Sequence, residues 1–163
     1  MNDAAAMEAI IERYGAALWR LAGSFEFDAA RREDLLQDML VAIWRALPRL
    51  EDPARLKAYV FRIGRNRAVS HVASQARHPR NETLSGEFEL PGSTPYEALE
   101  QTERQRRLRR VVNSLPLGQR EAITLFLEGF SHAEIAEVLA ISENNVAVRV
   151  NRARRFLTER LAR

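Results

Sequence analysis

The chain contains no cysteine among its 163 residues, which excludes disulfides, thiolate metal sites and cysteine nucleophiles together. No apolar run approaches the roughly 18 residues needed to span a bilayer, so no membrane insertion is expected. The start, MNDAAAMEAIIERYG, lacks a basic segment ahead of an apolar stretch, so no secretory signal is read and the cytoplasm is the expected compartment. Lysine is nearly absent: of 25 cations only Lys57 is lysine, and the rest are arginine, which suits bidentate contact with phosphate and guanine. The net charge is only +3, and no block of the chain is strongly basic, so any nucleic-acid surface must come from arrangement and not from bulk charge. A Gly-rich phosphate loop and a Glu-x-x-His pair are missing, and His71, His78 and His132 are scattered as surface side chains. Glu33, Asp34 and Asp38 cluster but lack partners for a di-metal site, so neither an enzyme nor a cofactor or metal is expected.

What is present is helical periodicity, without strand alternation or repeats. Met7, Ile10, Ile11, Tyr14, Leu18 and Leu21 mark the face of a first helix ended by Gly23 and Ser24. Leu35, Leu36, Met39, Leu40, Ile43 and Leu47 mark a second, with Glu33 and Asp34 in its first turn and Pro48 as its stop. Asp52-Pro53 opens a third as N-cap and N1 proline. Leu56, Tyr59, Val60, Ile63 and Ala68 form its apolar stripe, which puts Tyr59 in the core and Phe61 off it. Residues 78–95 are rich in proline and glycine and read as an exposed, slightly acidic linker. Thr94 and Glu97 form a capping box for a helix running to Asn113, broken by Leu115-Pro116. The fold class is therefore all-α: two small helical domains, 1–77 and 96–163, joined by a flexible linker over 78–95.

The second block has a specific layout. Residues 117–128 form an amphipathic helix with Ile123, Phe126 and Leu127 inward, ended by Gly129. Ser131 and Glu134 form a capping box for a short helix with Ile135, Ala136 and Leu139 on its apolar face. After Ala140-Ile141, Ser142 caps a longer helix whose inner stripe is Val146, Val150, Ala153 and Leu157. A short helix, a tight turn and a longer second helix make a helix-turn-helix, which presents the N-terminal half of its second helix to a major groove. Asn pairs with adenine and Arg with guanine or phosphate. Asn144, Asn145 and Arg149 are thus base-reading candidates, with Glu143 and Val148 beside them, Arg152, Arg154 and Arg155 nearer the backbone, and Arg120 within reach of a phosphate.

With those features in place, LPLGQREAITLFLEGFSHAEIAEVLAISENNVAVRVNRARRFL resembles region 4 of bacterial sigma factors of the extracytoplasmic-function group of the sigma-70 family. EDLLQDMLVAIWRALPRL resembles the polymerase-binding helix of their region 2, and RLKAYVFRIGRNRAVSHVASQAR their promoter −10 segment. The resemblance implies a factor that binds core RNA polymerase and directs promoter-specific initiation. Asp34, Leu35, Gln37, Asp38, Leu40 and Trp44 match the helix that docks on the β′ clamp helices, and the resemblance implies the β subunit as a further polymerase partner. Phe61, Arg62, Arg65, Asn66 and Arg67 would meet the melted −10 strand, Phe61 by stacking, and Arg120 and the helix-turn-helix residues the −35 element. Family likeness also implies an inhibitory anti-sigma protein. Glu82, Glu87 and Glu89 of the linker would either mimic phosphates in polymerase channels or belong to a plain solubilising linker.

Several positions depart from the family pattern. Ser70 stands for a usual Asp, and Ala147 and Val148 for a polar pair. Gly64 stands for an alanine, expected to weaken its helix by about 1 kcal/mol. Ala140 stands for a turn glycine, where a left-handed backbone costs about 1–2 kcal/mol. The competing function is a helix-turn-helix DNA-binding regulator without polymerase docking, against which the EDLLQDM helix and Trp44 argue.

Overall fold

Every element in the computed structural model of the chain, which describes residues 3–77 and 102–162, is helical. The helices are α1 (Asp3–Gly23), α2 (Ala29–Ala46), α3 (Leu56–Arg77), α4 (Glu103–Asn113), α5 (Leu117–Leu127), α6 (His132–Leu139) and α7 (Glu143–Leu161). Two 3₁₀ turns, Leu47–Arg49 and Pro53–Arg55, join α2 to α3. The expected linker and the Thr94–Glu97 capping box lie outside the described residues, so the linker glutamates do too. The described start of α4 is capped instead by Thr102, whose hydroxyl accepts from Gln105 N at 3.2 Å.

The first half is a three-helix unit. Leu18, Leu35, Met39, Ile43, Val60 and Ala68 are completely shielded and bring α1, α2 and α3 onto one core. α2 begins at Ala29, one turn before its apolar stripe, so Glu33 and Asp34 lie past its first turn, which holds no acidic residue. Neither carboxylate therefore sits at the positive end of the helix dipole, contrary to expectation. Pro48 enters the first 3₁₀ turn, and Asp52 caps the second by accepting from Ala54 N at 3.0 Å. Gly64 has a packing reason: a Cβ there would lie 3.0 Å from Met39 Cε and 3.3 Å from Leu18 Cδ2. The missing methyl lets α3 lie close on both neighbours, which offsets its low helix propensity.

The second half folds around α7, whose Val146, Val150, Ala153 and Leu157 stripe is buried as its spacing requires. Ile123 is buried on α5, but Leu125 takes the inward place expected of Leu127, which is 54% exposed. The reason is that α5 is covered from two sides, so its buried arc is Glu121 to Leu125. The Ser131 capping box is complete: Glu134 N donates to Ser131 Oγ at 3.1 Å and Ser131 N to Glu134 Oε1 at 2.9 Å. Gly129 adopts φ +90°, and Ala140 is left-handed at φ 56°, ψ 45° between α6 and α7.

Ala140 thus carries the strain its backbone predicts. Ala140→Gly should raise the unfolding free energy by roughly 0.5–1 kcal/mol, the steric relief outweighing glycine's extra chain entropy. Urea denaturation monitored by circular dichroism measures it; an unchanged or lower midpoint would remove the strain at this turn.

Candidate nucleic-acid interface and the seam between the two halves

On α2, helical spacing places Asp34, Gln37, Asp38, Val41 and Trp44 along one exposed strip. Trp44 is 51% exposed, and with Val41 it puts apolar surface beside two carboxylates. Leu35, expected on this surface, is instead wholly buried, because it points into the contact with α1 and α3. Leu40 is half-buried against the core.

On α3, Arg62, Asn66 and Arg67 are exposed, and Arg67 Nη2 lies 3.7 Å from Asp38 Oδ2. Phe61 corrects the expectation of an exposed ring. It is completely shielded, edge-on to Tyr14 at 5.6 Å and to Phe130 at 4.8 Å between centroids. Tyr14 of α1 covers it from within the first half and Phe130 from the second. Tyr59 is half-buried, with its hydroxyl donating to Ala46 O at 2.7 Å. Arg65 is not free either: its guanidinium meets Glu121 of α5 with Nε–Oε2 at 3.1 Å and Nη2–Oε1 at 3.3 Å.

On α7, Ser142 caps the helix by accepting from Asn145 N at 3.1 Å. Glu143, Asn144, Asn145, Val148, Arg152, Arg154 and Arg155 are exposed; Glu143 and Arg154 flank the buried stripe, Arg154 over the Phe126 ring, and the others face away from it. Arg149 is partly covered: its Nε donates to Asn145 Oδ1 at 3.3 Å and its Nη1 lies 3.8 Å from Glu121 Oε1. Arg120, expected to reach a phosphate, is turned inward. It donates to Ser24 O at 2.6 Å, Leu115 O at 3.0 Å and Asn113 O at 3.2 Å, and its guanidinium lies over the Phe27 ring. The backbone carbonyls at the end of α1 and the α4–α5 turn claim its donors, and burial lowers its pKa against the raising effect of Glu121.

These contacts belong to a seam that residue spacing does not announce. Ser24 Oγ and Thr124 Oγ1 lie 3.0 Å apart, both buried. Arg20 pairs with Glu128, and Arg55 with Glu137. Lys57 Nζ lies 3.0 Å from Glu134 Oε2 and 4.1 Å from the Phe130 ring centroid. Within the first half two more polar groups are partnered, and of these His71 departs from its expected place at the surface. His71 is half-buried, its Nε2 2.9 Å from Glu26 Oε1, and Arg32 is buried over Trp19 with Nε donating to Glu26 O at 3.2 Å. Their positions depend on partners distant in the chain, which helical periodicity cannot report. Among the described residues no three His, Asp or Glu side chains converge to hold a metal, and no helix is long and apolar enough to cross a membrane.

The profile of Sigma-70 region 2 matches residues 10–78, and that of Sigma-70 region 4 matches residues 105–157. The RNA polymerase sigma factor NccH of Alcaligenes xylosoxydans xylosoxydans is 32% identical over 96% of this chain and 87% of its own. The ECF RNA polymerase sigma factor SigL of Mycobacterium tuberculosis is 30% identical over 95% of this chain and 88% of its own. Among solved structures, the sigma factor RpoE in complex with the anti-sigma factor NepR, from Bartonella quintana, superposes with a TM-score of 0.73 at 26% identity. That match covers 95% of this chain and 96% of RpoE.

Glu134 links a helix cap to the seam, and its charge should be visible in stability. The Ser131 backbone N–H, then the Lys57 ammonium, hold its carboxyl below the usual range. A carboxyl depressed in the folded state stabilises above its unfolded pKa and stops doing so as pH falls through the folded value. Glu134→Gln should therefore cost at most about 1 kcal/mol at pH 7, since the group is partly exposed, and the gap should close as pH falls through the carboxylate range. Urea unfolding of both proteins at neutral and acid pH checks this; a gap independent of pH would contradict it.

Proposed function

The chain belongs to the extracytoplasmic-function group of sigma-70 factors, and on that premise we propose how its two halves divide the work of starting transcription. As a sigma factor it binds core RNA polymerase and directs initiation at promoters. The first half, residues 1–77, docks the polymerase and captures the −10 strand, while residues 96–163 read the −35 duplex.

The observation that carries this division is the pairing of two unrelated surfaces on one short chain. The α2 strip joins Asp34, Gln37 and Asp38 to a half-exposed tryptophan, the composition of a protein-docking anchor facing basic side chains. A regulator that only binds DNA has no use for it. Leu35 and Leu40 support the strip from beneath. Arg62, Asn66 and Arg67 of α3 offer cations and an amide to an unstacked strand, joined by Arg65 and Phe61 once the seam opens. Asn144, Asn145, Val148, Arg149 and Arg152 line the groove-facing side of α7, with Glu143 at its N-terminus. Arg120 acts on this reading as a support for α5 and not as a phosphate contact, because its donors are already engaged.

Neither surface is large. Joining them makes the second contact intramolecular once the first has formed, which raises its effective concentration. We also assign an anti-sigma protein as partner, by likeness to the RpoE complex, and the cytoplasm as compartment. No catalysis and no cofactor enter this mechanism; the chemistry of RNA synthesis belongs to the polymerase.

Trp44→Ala should weaken binding to core polymerase by 10-fold or more without loss of folding, since its ring is half in water already. Fluorescence anisotropy with labelled sigma measures it, and unchanged affinity would remove Trp44 from the docking surface. Asn145→Ala should lower −35-dependent transcription while leaving polymerase affinity intact, and Asn66→Ala should slow strand opening more than initial binding. Run-off transcription and permanganate footprinting of the −10 region separate the two, and equal defects in polymerase binding would contradict both assignments.

A further inference from the structure

Asn145, in the first turn of α7, is fixed at both its backbone and its side chain. Its N–H donates to Ser142 Oγ at 3.1 Å, and its amide oxygen accepts from Arg149 Nε, one turn on, at 3.3 Å. Arg149 is itself held from another helix. Its Nη1 lies 3.8 Å from Oε1 of Glu121, a side chain of α5 that is only 3% exposed. Its guanidinium lies against Gly118 of the same helix, where a Cβ would come within 3.1 Å of Nη1. All of these residues belong to the second half. The relay from Glu121 through Arg149 to Asn145 is therefore separate from the contact that Glu121 also makes with Arg65 of α3.

The chemistry that follows is that of a primary amide with one branch engaged. An asparagine pairs with adenine by using both branches, accepting from N6 and donating to N7. An arginine has only donors, so the branch turned towards Arg149 is the oxygen. The planar amide then directs Nδ2 away from Arg149, and the branch left for a base carries two N–H donors. Guanine presents two acceptors side by side in the major groove, O6 and N7, whereas adenine presents one acceptor and one donor.

We propose that Arg149 is a positioning residue: held by Glu121, it keeps the Asn145 oxygen turned inward, and Asn145 thereby selects guanine over adenine at the −35 base pair it meets. The inference rests on the reading of Asn145 as facing the groove. It separates the roles of two neighbouring side chains, since Asn145 touches the base and Arg149 acts through it.

Transcription by the full chain with core polymerase, from promoter templates randomised over the −35 element, gives the base preference at every position when the transcripts are sequenced. Asn145→Ala identifies the position that Asn145 reads, because the preference there flattens. At that position the unmodified chain should favour guanine over adenine by about 5-fold or more, and a preference for adenine overturns the proposal. Arg149→Met keeps the aliphatic stem and removes the donors. It should bring the guanine-to-adenine ratio at that position down to about 1 and leave the other positions unchanged. An intact ratio there, with a different position flattened, would mean that Arg149 reads a base of its own, and overturns the proposal. Glu121→Gln keeps the buried volume and should lower the same ratio roughly 2-fold; an unchanged ratio overturns the relay. A merely structural defect in any variant lowers output from all templates alike and does not move the ratio. If the unmodified chain gives no promoter-directed transcript, the reading of it as an initiation factor fails. If Asn145→Ala flattens no position, the reading of Asn145 as groove-facing fails and the inference with it. A position that flattens with Asn145→Ala but keeps its ratio with Arg149→Met refutes the inference alone.

Discussion

A carboxylate withdrawn from water must find cations or protonate, and Glu121 lies almost wholly inside the seam. Burying an ion costs several kcal/mol unless charge-assisted hydrogen bonds replace its hydration. Glu121 obtains them from one arginine of each half, Arg65 and Arg149. The docking of α5 against α3 is thereby tied to Arg65, with Arg149 beside the same carboxylate from within the second half. Around this contact the seam is mixed: the Phe61–Phe130 pair and the Ser24–Thr124 hydroxyls at its centre, with Arg20–Glu128, Arg55–Glu137 and Lys57–Glu134 nearer its margins. The partly exposed marginal pairs contribute little each and are weakened by salt. Such a seam suits an arrangement that has to open.

α3 is the element on which the account turns. One side of it completes the core with α1 and α2, where Gly64 allows close approach to Leu18 and Met39. Another side carries Arg62, Asn66 and Arg67 into solvent. A third meets α5 and α6 through Arg65, Lys57 and Phe61. The same helix thus serves the core of the first half and the seam with the second, and keeps a cationic side in solvent. The α2 strip ending at Trp44 stands apart from the seam and keeps its exposure in the closed form.

Local chemistry was legible in the sequence wherever one turn of chain decides it. The caps at Asp52, Ser131 and Ser142 follow from short side chains that accept from nearby N–H groups. The left-handed Ala140 and the buried stripe of α7 follow from the tight turn and the apolar spacing. What periodicity missed depends on residues far away in the chain. Phe61 falls outside the apolar stripe of α3, and it is enclosed between Tyr14 of α1 and Phe130 arriving from the second half. Leu127 and Leu125 exchange places because α5 is covered on two faces, a case where a one-sided amphipathic pattern misassigns the inward residue. Arg120 was read as a phosphate ligand, yet three backbone carbonyls take its donors. The helix-turn-helix was visible for the same reason that the seam was not: the first is a local arrangement, the second a meeting of two independently patterned halves.

The most direct test is the distance between the halves, before and after the factor enters an initiation complex. Spin labels at Arg45→Cys on α2 and Glu159→Cys on α7 use two exposed positions in a chain without other thiols. Double electron–electron resonance should give one short, narrow distribution for the free protein. It should give a longer one when core polymerase and promoter DNA are added. A short distance that persists in a complex actively making transcript would contradict the account, because Arg65 would then still be held by Glu121 across the seam while transcription starts.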